Sequence, residues 1–440
     1  MFCQTIATLV EKEFFKWAHM AIRGIAGAVL LLSATVTIAE DKMLQEFERQ
    51  ELSNVYYSEG ANAGDINMDG QMDVVYGPYW FEGPDFKQKH EIYKPVPQNV
   101  NAYSNNNFFN WIYDFNGDGW NDILVVGIPA FPGIVYENPG KDGFDKHWKA
   151  HQVMDSVTNE SPQFTDIVGD EKPELICTHN KFYGYATFDP KKPFEPWKFH
   201  AVSDDSAPER FGHGLGVGDI NGDGRQDILQ ASGWYEQPAE NADGRWKFHN
   251  DPFNNGKYGG ADMFAYDVDG DGDNDVITSL AAHDFGLAWF EQVQTDGKPS
   301  FKMHLIMGES PEENRYGLNF SELHALALVD MDGDGLKDIV TGKTYWSHNK
   351  KSPQWDAGAV VYWFKLVRGK DGVDWVPFKA DGDSGIGRQL SVVDVNGDKL
   401  PDIIVGGMKG GNVLIHRAKK VDDATWQAAQ PKPVSEAAKP

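Results

Sequence analysis

The chain has 440 residues, 41% of them hydrophobic and 13% aromatic, enough to bury a large core. Its 66 acidic residues against 40 basic ones give a formal charge of -26, which argues against a nucleic-acid partner, because phosphate binding needs basic surface.

In chain order, residues 1–39 read as an export signal: Arg23 precedes the apolar run 25–38, and Thr37-Ile38-Ala39 is an acceptable cleavage site. The apolar run is too short for a membrane span, and Met20 is an alternative start. The mature chain then begins near Glu40 and keeps only Cys177, which excludes an internal disulfide. A periplasmic or extracellular location follows, with no membrane span after signal removal.

Residues 65–73 form the pattern Asp-x-Asn-x-Asp-Gly-x-x-Asp, with oxygen side chains at positions 1, 3, 5 and 9 (Asp65, Asn67, Asp69, Asp73). It recurs as Asp114, Asn116, Asp118, Asp122; as Asp219, Asn221, Asp223, Asp227; as Asp267, Asp269, Asp271, Asp275; as Asp330, Asp332, Asp334, Asp338; and as Asp394, Asn396, Asp398, Asp402. Such oxygen clusters suit calcium, which takes about six to eight oxygen ligands. These loops hold about twenty carboxylates, and six bound ions would return about +12. A decayed copy occupies 166–174, with Val168 at the second ligand position and Glu171 at the glycine. In the last copy Lys399 replaces the glycine. An EF-hand is excluded, because position 12 is Tyr76, Gln230 or Thr341 rather than a bidentate Glu.

The first aspartates, at 65, 114, 166, 219, 267, 330 and 394, give a period of 48 to 64 residues, that of a propeller blade. Each loop joins an entering strand A to a β-branched strand B, such as Val74-Val75 or Ile403-Ile404-Val405. Strand C carries aromatics (Tyr79-Trp80-Phe81, Trp234-Tyr235, Trp289-Phe290, Tyr362-Trp363-Phe364). Strand D repeats around His90, His151, His200, His249 and His304, for which a structural role is expected. Residues 47–52 fit a strand D ahead of the first strand A, while the last repeat lacks one. The expected fold is therefore an all-β, seven-bladed β-propeller with calcium loops between strands A and B, spanning 40–417 and closed by an N-terminal strand. Residues 418–440, rich in Ala, Lys and Pro, are predicted to be disordered.

The loops and their β-runs resemble the FG-GAP/VCBS repeats of integrin α-type propellers across 47–416. That resemblance implies a calcium-binding propeller that serves in many cases as an adhesion or ligand-binding module.

Up-and-down connectivity places the B-to-C and D-to-A loops on the face away from calcium. His213 and His324 open strands A near the axis, and His179, His283 and His348 lie in B-to-C loops. Arg210-Phe211-Gly212, Lys257-Tyr258-Gly259 and Arg315-Tyr316-Gly317 repeat in D-to-A loops, with Lys343, Tyr345 and Arg388 nearby. This cluster on an acidic protein suggests a site for an oxygen-rich or anionic ligand, or else a structural network in which the cations pair with Glu209, Asp262, Asp284 and Glu322. The three histidines His213, His283 and His324 could hold a second metal with a carboxylate. Alternatively one histidine or tyrosine could remove a proton beside a carbonyl while Arg210 or Arg315 stabilises the enolate, giving β-elimination of water or alcohol from a sugar.

The segments 210–214, 282–291, 323–327 and 342–346 are also similar to the propeller part of aldos-2-ulose dehydratases, although this chain lacks their cupin domains. That resemblance implies a carbohydrate ligand, sugar dehydratase (carbon-oxygen lyase) chemistry, and His213, His283 and His324 as the residues to test. Binding of a carbohydrate or cell-surface glycan without chemistry is the competing expectation.

Overall fold

The computed structural model describes residues 42–101, 107–240, 243–257, 259–295, 298–345 and 350–434. The expected signal, Tyr258, His348 and the last six residues lie outside them.

The fold is an all-β, propeller-like ring. Its strands form five four-stranded sheets and one eight-stranded sheet, each four-stranded unit running A-B-C-D in antiparallel order. Strands B are apolar over most of their length and buried throughout: Asp73–Tyr76, Asp122–Val126, Asp275–Ser279 and Asp402–Val405 have no exposed position. Such runs suit strands covered on both faces. Between repeats the packing is aromatic and aliphatic. Tyr76, Tyr79 and Phe81 of the first repeat meet Ile404, Val413 and Ile415 of the last.

The strand expected at 47–52 is longer than its repeat suggests. Lys42–Ser53 pairs antiparallel with Gly411–Val421, from Lys42 opposite Val421 to Gln50 opposite Val413. It completes the last sheet as the outermost strand. Because this partner starts at Lys42, strand C of the last repeat continues to Val421, and a helix, Asp423–Ala429, follows with Asp422 as its cap. The disorder expected from 418 onward is therefore absent at 418–429. The Lys42 ammonium lies 4.7 Å from the Trp426 ring. No helix among the described residues is long and apolar enough to cross a membrane.

The repeats do not all stand apart. Strands A of the fourth and fifth repeats, Leu215–Gly218 and Asp262–Tyr266, pair in parallel and fuse two blades into the eight-stranded sheet. The sequence Gly214-Leu215-Gly216-Val217-Gly218 explains the approach. A Cβ at Gly216 would sit 2.0 Å from the Met263 carbonyl oxygen, and one at Gly218 would sit 2.4 Å from the Ala265 Cβ.

The five strand D histidines have the structural role expected of them. Their rings lie against aromatics, for example Trp80 with His90 at 4.2 Å and Trp234 with His249 at 3.9 Å. Most also meet a glutamate at the end of strand C, as His90 meets Glu82 at 2.7 Å. His416, outside that pattern, stacks on Phe47 of the closing strand.

Near the axis, Asp262 ties three repeats together, accepting from the Gln163 amide at 2.7 Å and the Leu326 N–H at 2.9 Å. Burial pushes its carboxyl up to about 6 against these two hydrogen bonds. With an unfolded value near 3.9, the folded state binds the extra proton between about pH 4 and 6, so this group's contribution to stability falls as pH rises through that window. Asp262→Asn keeps the shape without the titration. Its melting temperature relative to the unaltered protein should rise by a few degrees between pH 4.5 and 7.5, followed by thermal unfolding at both values. A constant difference would mean that Asp262 titrates normally.

Candidate functional site

The six good loops share one backbone device. The position-one aspartate accepts from the position-six N–H in most copies, as Asp65 does from Gly70 at 3.0 Å and Asp330 from Gly335 at 2.9 Å. Position six lies in the left-handed region, which favours glycine. In the two departing copies Glu171 and Lys399 adopt the same conformation, with φ of 68° and 70°, so the loop shape survives the sequence change under strain. The side-chain oxygens of Asp267, Asp269 and Asp271 converge, as do those of Asp330, Asp332 and Asp338. In the latter loop the Lys365 ammonium meets Asp332 and lies 2.8 Å from Asp334.

The position-nine carboxylates are buried and doubly bonded to backbone. Asp73 accepts from Ile66 at 2.8 Å and Gly83 at 2.9 Å, and Asp338 accepts from Met331 and Leu366, both at 2.9 Å. Burial pushes these carboxyls up despite those bonds, to about 6 at Asp73 and Asp402, about 7 at Asp122, Asp227 and Asp275, and about 8 at Asp338.

The other ends of the strands carry a different chemistry. Ligand atoms of Glu160, His213, His283 and His324 all lie within 4.8 Å of one another. His213 Nε2 is 3.1 Å from His283 Nε2 and 3.6 Å from Glu160 Oε2. His324 is 2% exposed, and its Nδ1 lies 3.2 Å from Glu322, which is fully buried. A carboxylate on the far nitrogen fixes the tautomer and orientation of a ligating imidazole. Burial would raise the Glu160 carboxyl, but the hydrogen bond from His213 and the charges of Arg388, His213 and His283 bring it down to about 2. Arg388, itself buried, bridges Glu160 at 3.1 Å and Glu59 at 3.3 Å.

Main-chain bonds hold the cluster in register. The Glu160 N–H donates to the Gly212 carbonyl at 2.8 Å, beside His213. The Glu322 N–H donates to the Asp284 carbonyl at 3.0 Å, tying the His283 loop to the His324 strand. Glu322 has a left-handed backbone, φ 68°, and its carbonyl accepts from His324 and Thr344. A strained residue fixed in this way at a ligand cluster is a mark of function. A cavity of about 410 Å³, lined by Phe211, His213, Lys257 and His283 among others, opens the cluster to solvent.

Thus the three histidines named from the sequence come together, and the cations largely do not. Arg210 donates to the Pro129 carbonyl at 2.7 Å and lies over the Phe211 ring, while Arg315 and Tyr316 both bond Asp374 at 2.7 Å, in another repeat. Neither arginine takes the place expected of it beside the histidines; Arg388 does. Lys257 reaches the cavity rim, paired with Asp284 at 2.6 Å, as the network expectation had it. Lys343 is buried with its ammonium 3.1 Å from Ser321, and burial lowers its pKa. Tyr345 lies beneath Lys409. His179 turns to the Ser156 carbonyl at 2.9 Å.

Glu160 went unrecognised in the sequence, although a signal was present. It stands six residues before the first aspartate of its loop, as do Glu59, His213, His324 and Arg388 in theirs. That one register position rings the axis.

No family model matches the chain. Among curated proteins it is similar to integrin alpha pat-2 of Caenorhabditis briggsae, 25% identical over 381 residues that cover 83% of this chain and 23% of that protein. It is also similar to integrin alpha-6 of Gallus gallus, 32% identical over 121 residues, or 27% of this chain and 10% of that one. The chain therefore spans about a quarter or less of the length of these relatives. Among solved structures, a lectin of Agrocybe aegerita that recognises non-reducing terminal N-acetylglucosamine aligns with a TM-score of 0.44 at 17% identity, over 86% of this chain and 95% of that one. The distant likeness to integrin α chains, the recurring aspartate loop and the ring of four-stranded sheets make this an integrin α-like β-propeller of the FG-GAP type.

Proposed function

We propose that the chain is an exported, seven-bladed propeller whose aspartate loops bind calcium and whose opposite face binds a carbohydrate at a divalent-metal centre held by Glu160, His213, His283 and His324. The observation that carries this reading is the convergence of those four ligand atoms within 4.8 Å. Three imidazoles and a carboxylate suit a zinc-class ion rather than calcium. The ionised Glu160 and the Glu322-oriented His324 supply the charge and the second shell that such an ion requires.

A bound metal would supply Lewis-acid polarisation of a sugar oxygen. The protein's own groups do the rest. Glu322 holds His324 in one tautomer. Arg388 pairs with both Glu160 and Glu59 and offsets part of their charge where the two carboxylates share a buried site. The Lys257–Asp284 pair borders the entrance. β-Elimination of water or alcohol from a keto sugar is the alternative use of the site, in which His213, at the cavity, takes the proton beside the carbonyl instead of holding an ion, and the leaving oxygen departs with a proton from solvent. A ligand-binding module without chemistry is the second reading, supported by the likeness to integrin α chains over 83% of the chain.

Two measurements test these readings. Dialysed protein offered zinc should retain about one equivalent at this centre, read by elemental analysis, and His324→Ala should lose it. Incubation with keto-anhydrosugars should give new ultraviolet absorbance that disappears in His213→Ala. Metal retention without absorbance would favour the binding module, and neither signal would overturn the metal centre.

For the loops, the converging side-chain oxygens of Asp267, Asp269 and Asp271, and of Asp330, Asp332 and Asp338, suit a hard cation. Chelation should therefore lower the melting temperature sharply and calcium should restore it. An unchanged melting curve refutes calcium stapling.

A further inference from the structure

Beside the metal centre lies a second and larger cavity, of about 700 Å³, at the boundary of the third and fourth repeats. His213 belongs to both this cavity and the smaller one, as does Phe211. The floor is aromatic and covered: Tyr183, Tyr235 and Trp246 are 9%, 5% and 5% exposed. Two further rings stand out of the surface at its lip, Phe211 at 41% and Phe248 at 40%.

Packing does not account for Phe211. Its backbone is left-handed, φ 58°, a conformation that is costly for an aromatic residue. A ring two-fifths exposed recovers little of that cost through burial. The Arg210 guanidinium covers one side of it at 4.4 Å. The strained loop is nevertheless fixed, because Gly212 accepts from the Glu160 N–H at 2.8 Å. The segment that carries the exposed ring is thus bonded to a metal ligand. Phe248 leans on Tyr235, their centroids 4.9 Å apart, which in turn meets Tyr183 at 5.7 Å.

Sugar rings have apolar C–H faces and a rim of hydroxyls. Aromatic platforms next to small polar groups match that pattern. Here Gln230, Ser206 and Ser232 supply the hydrogen-bonding groups. The charged lining residues Arg245 and Asp204 pair with each other at 3.4 Å, which favours a neutral ligand.

We propose that this cavity is an extended subsite for a neutral oligosaccharide, whose terminal unit lies at the metal centre and whose next units stack on Phe211 and Phe248. The inference rests on the carbohydrate reading above and adds that the ligand is a chain rather than a single sugar.

Calorimetric titration of the zinc-loaded protein with neutral oligosaccharides of one to four units, built from glucose, xylose, galactose or mannose, tests it. Affinity should rise about tenfold or more from one unit to three for the sugar that is bound. That rise should collapse in Phe248→Ala, and again in Ser232→Trp, which fills the groove from an exposed position. Melting curves of both variants establish that they are folded. Equal affinity at every length, or a length dependence that survives both variants, overturns the subsite and leaves the axial reading standing. No binding by any of these sugars overturns the subsite, and the axial reading is then decided by the keto-anhydrosugar assay.

Discussion

The structure depends on one buried carboxylate repeated around the ring. Each position-nine aspartate begins a strand B, accepts the N–H that follows the first aspartate, and takes a second N–H from strand C or from just beyond its end. A single side chain thereby locks the loop, strand B and strand C into one register. A backbone N–H left unpaired in the interior would cost about 1–3 kcal/mol, so these bonds decide where each loop turns. The same burial that makes the bonds strong raises the carboxyls, and charge of this kind is stable only beside a proton or a cation. In the third repeat Glu174 accepts from Ile167 at 3.0 Å, so the device survives there although the other loop residues have drifted.

At the opposite ends of the strands, the same register places one residue per repeat at the axis. Carboxylates, imidazoles and a guanidinium hold five of its positions, with Phe108 and Ala261 at the other two, and Arg388 pairs with both Glu59 and Glu160. The repeat least suited to calcium contributes Glu160 to the histidine cluster. One end of a repeat can lose its pattern while the other end keeps a functional position, because the two are joined only through a short strand.

Much of this was legible in the sequence because it recurs at a fixed spacing. The repeat count, the strand order, the closing strand and the structural role of the strand D histidines all follow from patterns seen several times over. Connectivity put His213, His283 and His324 on one face, but their convergence was not legible in it. What was hidden is tertiary. Arg210 and Arg315 take partners 81 and 59 residues away, and nothing local fixes their direction. The ordered stretch after 418 depends on a strand that begins at Lys42. Glu160 was obscured because its repeat has lost its loop ligands, which hides the position it shares with His213.

The fused sheet has a mechanical meaning for the centre. His213 and His283 belong to the fourth and fifth repeats, whose inner strands are hydrogen-bonded into one continuous body. Glu160 and His324 belong to separate sheets on either side. That pair is held by a strand ladder, whereas Glu160 and His324 are tied to it by single main-chain bonds, Glu160 N–H to Gly212 and Glu322 N–H to Asp284. The imidazole pair is the more firmly tied half of the centre, and an ion or ligand spanning all four groups would add a bond across two thinner seams.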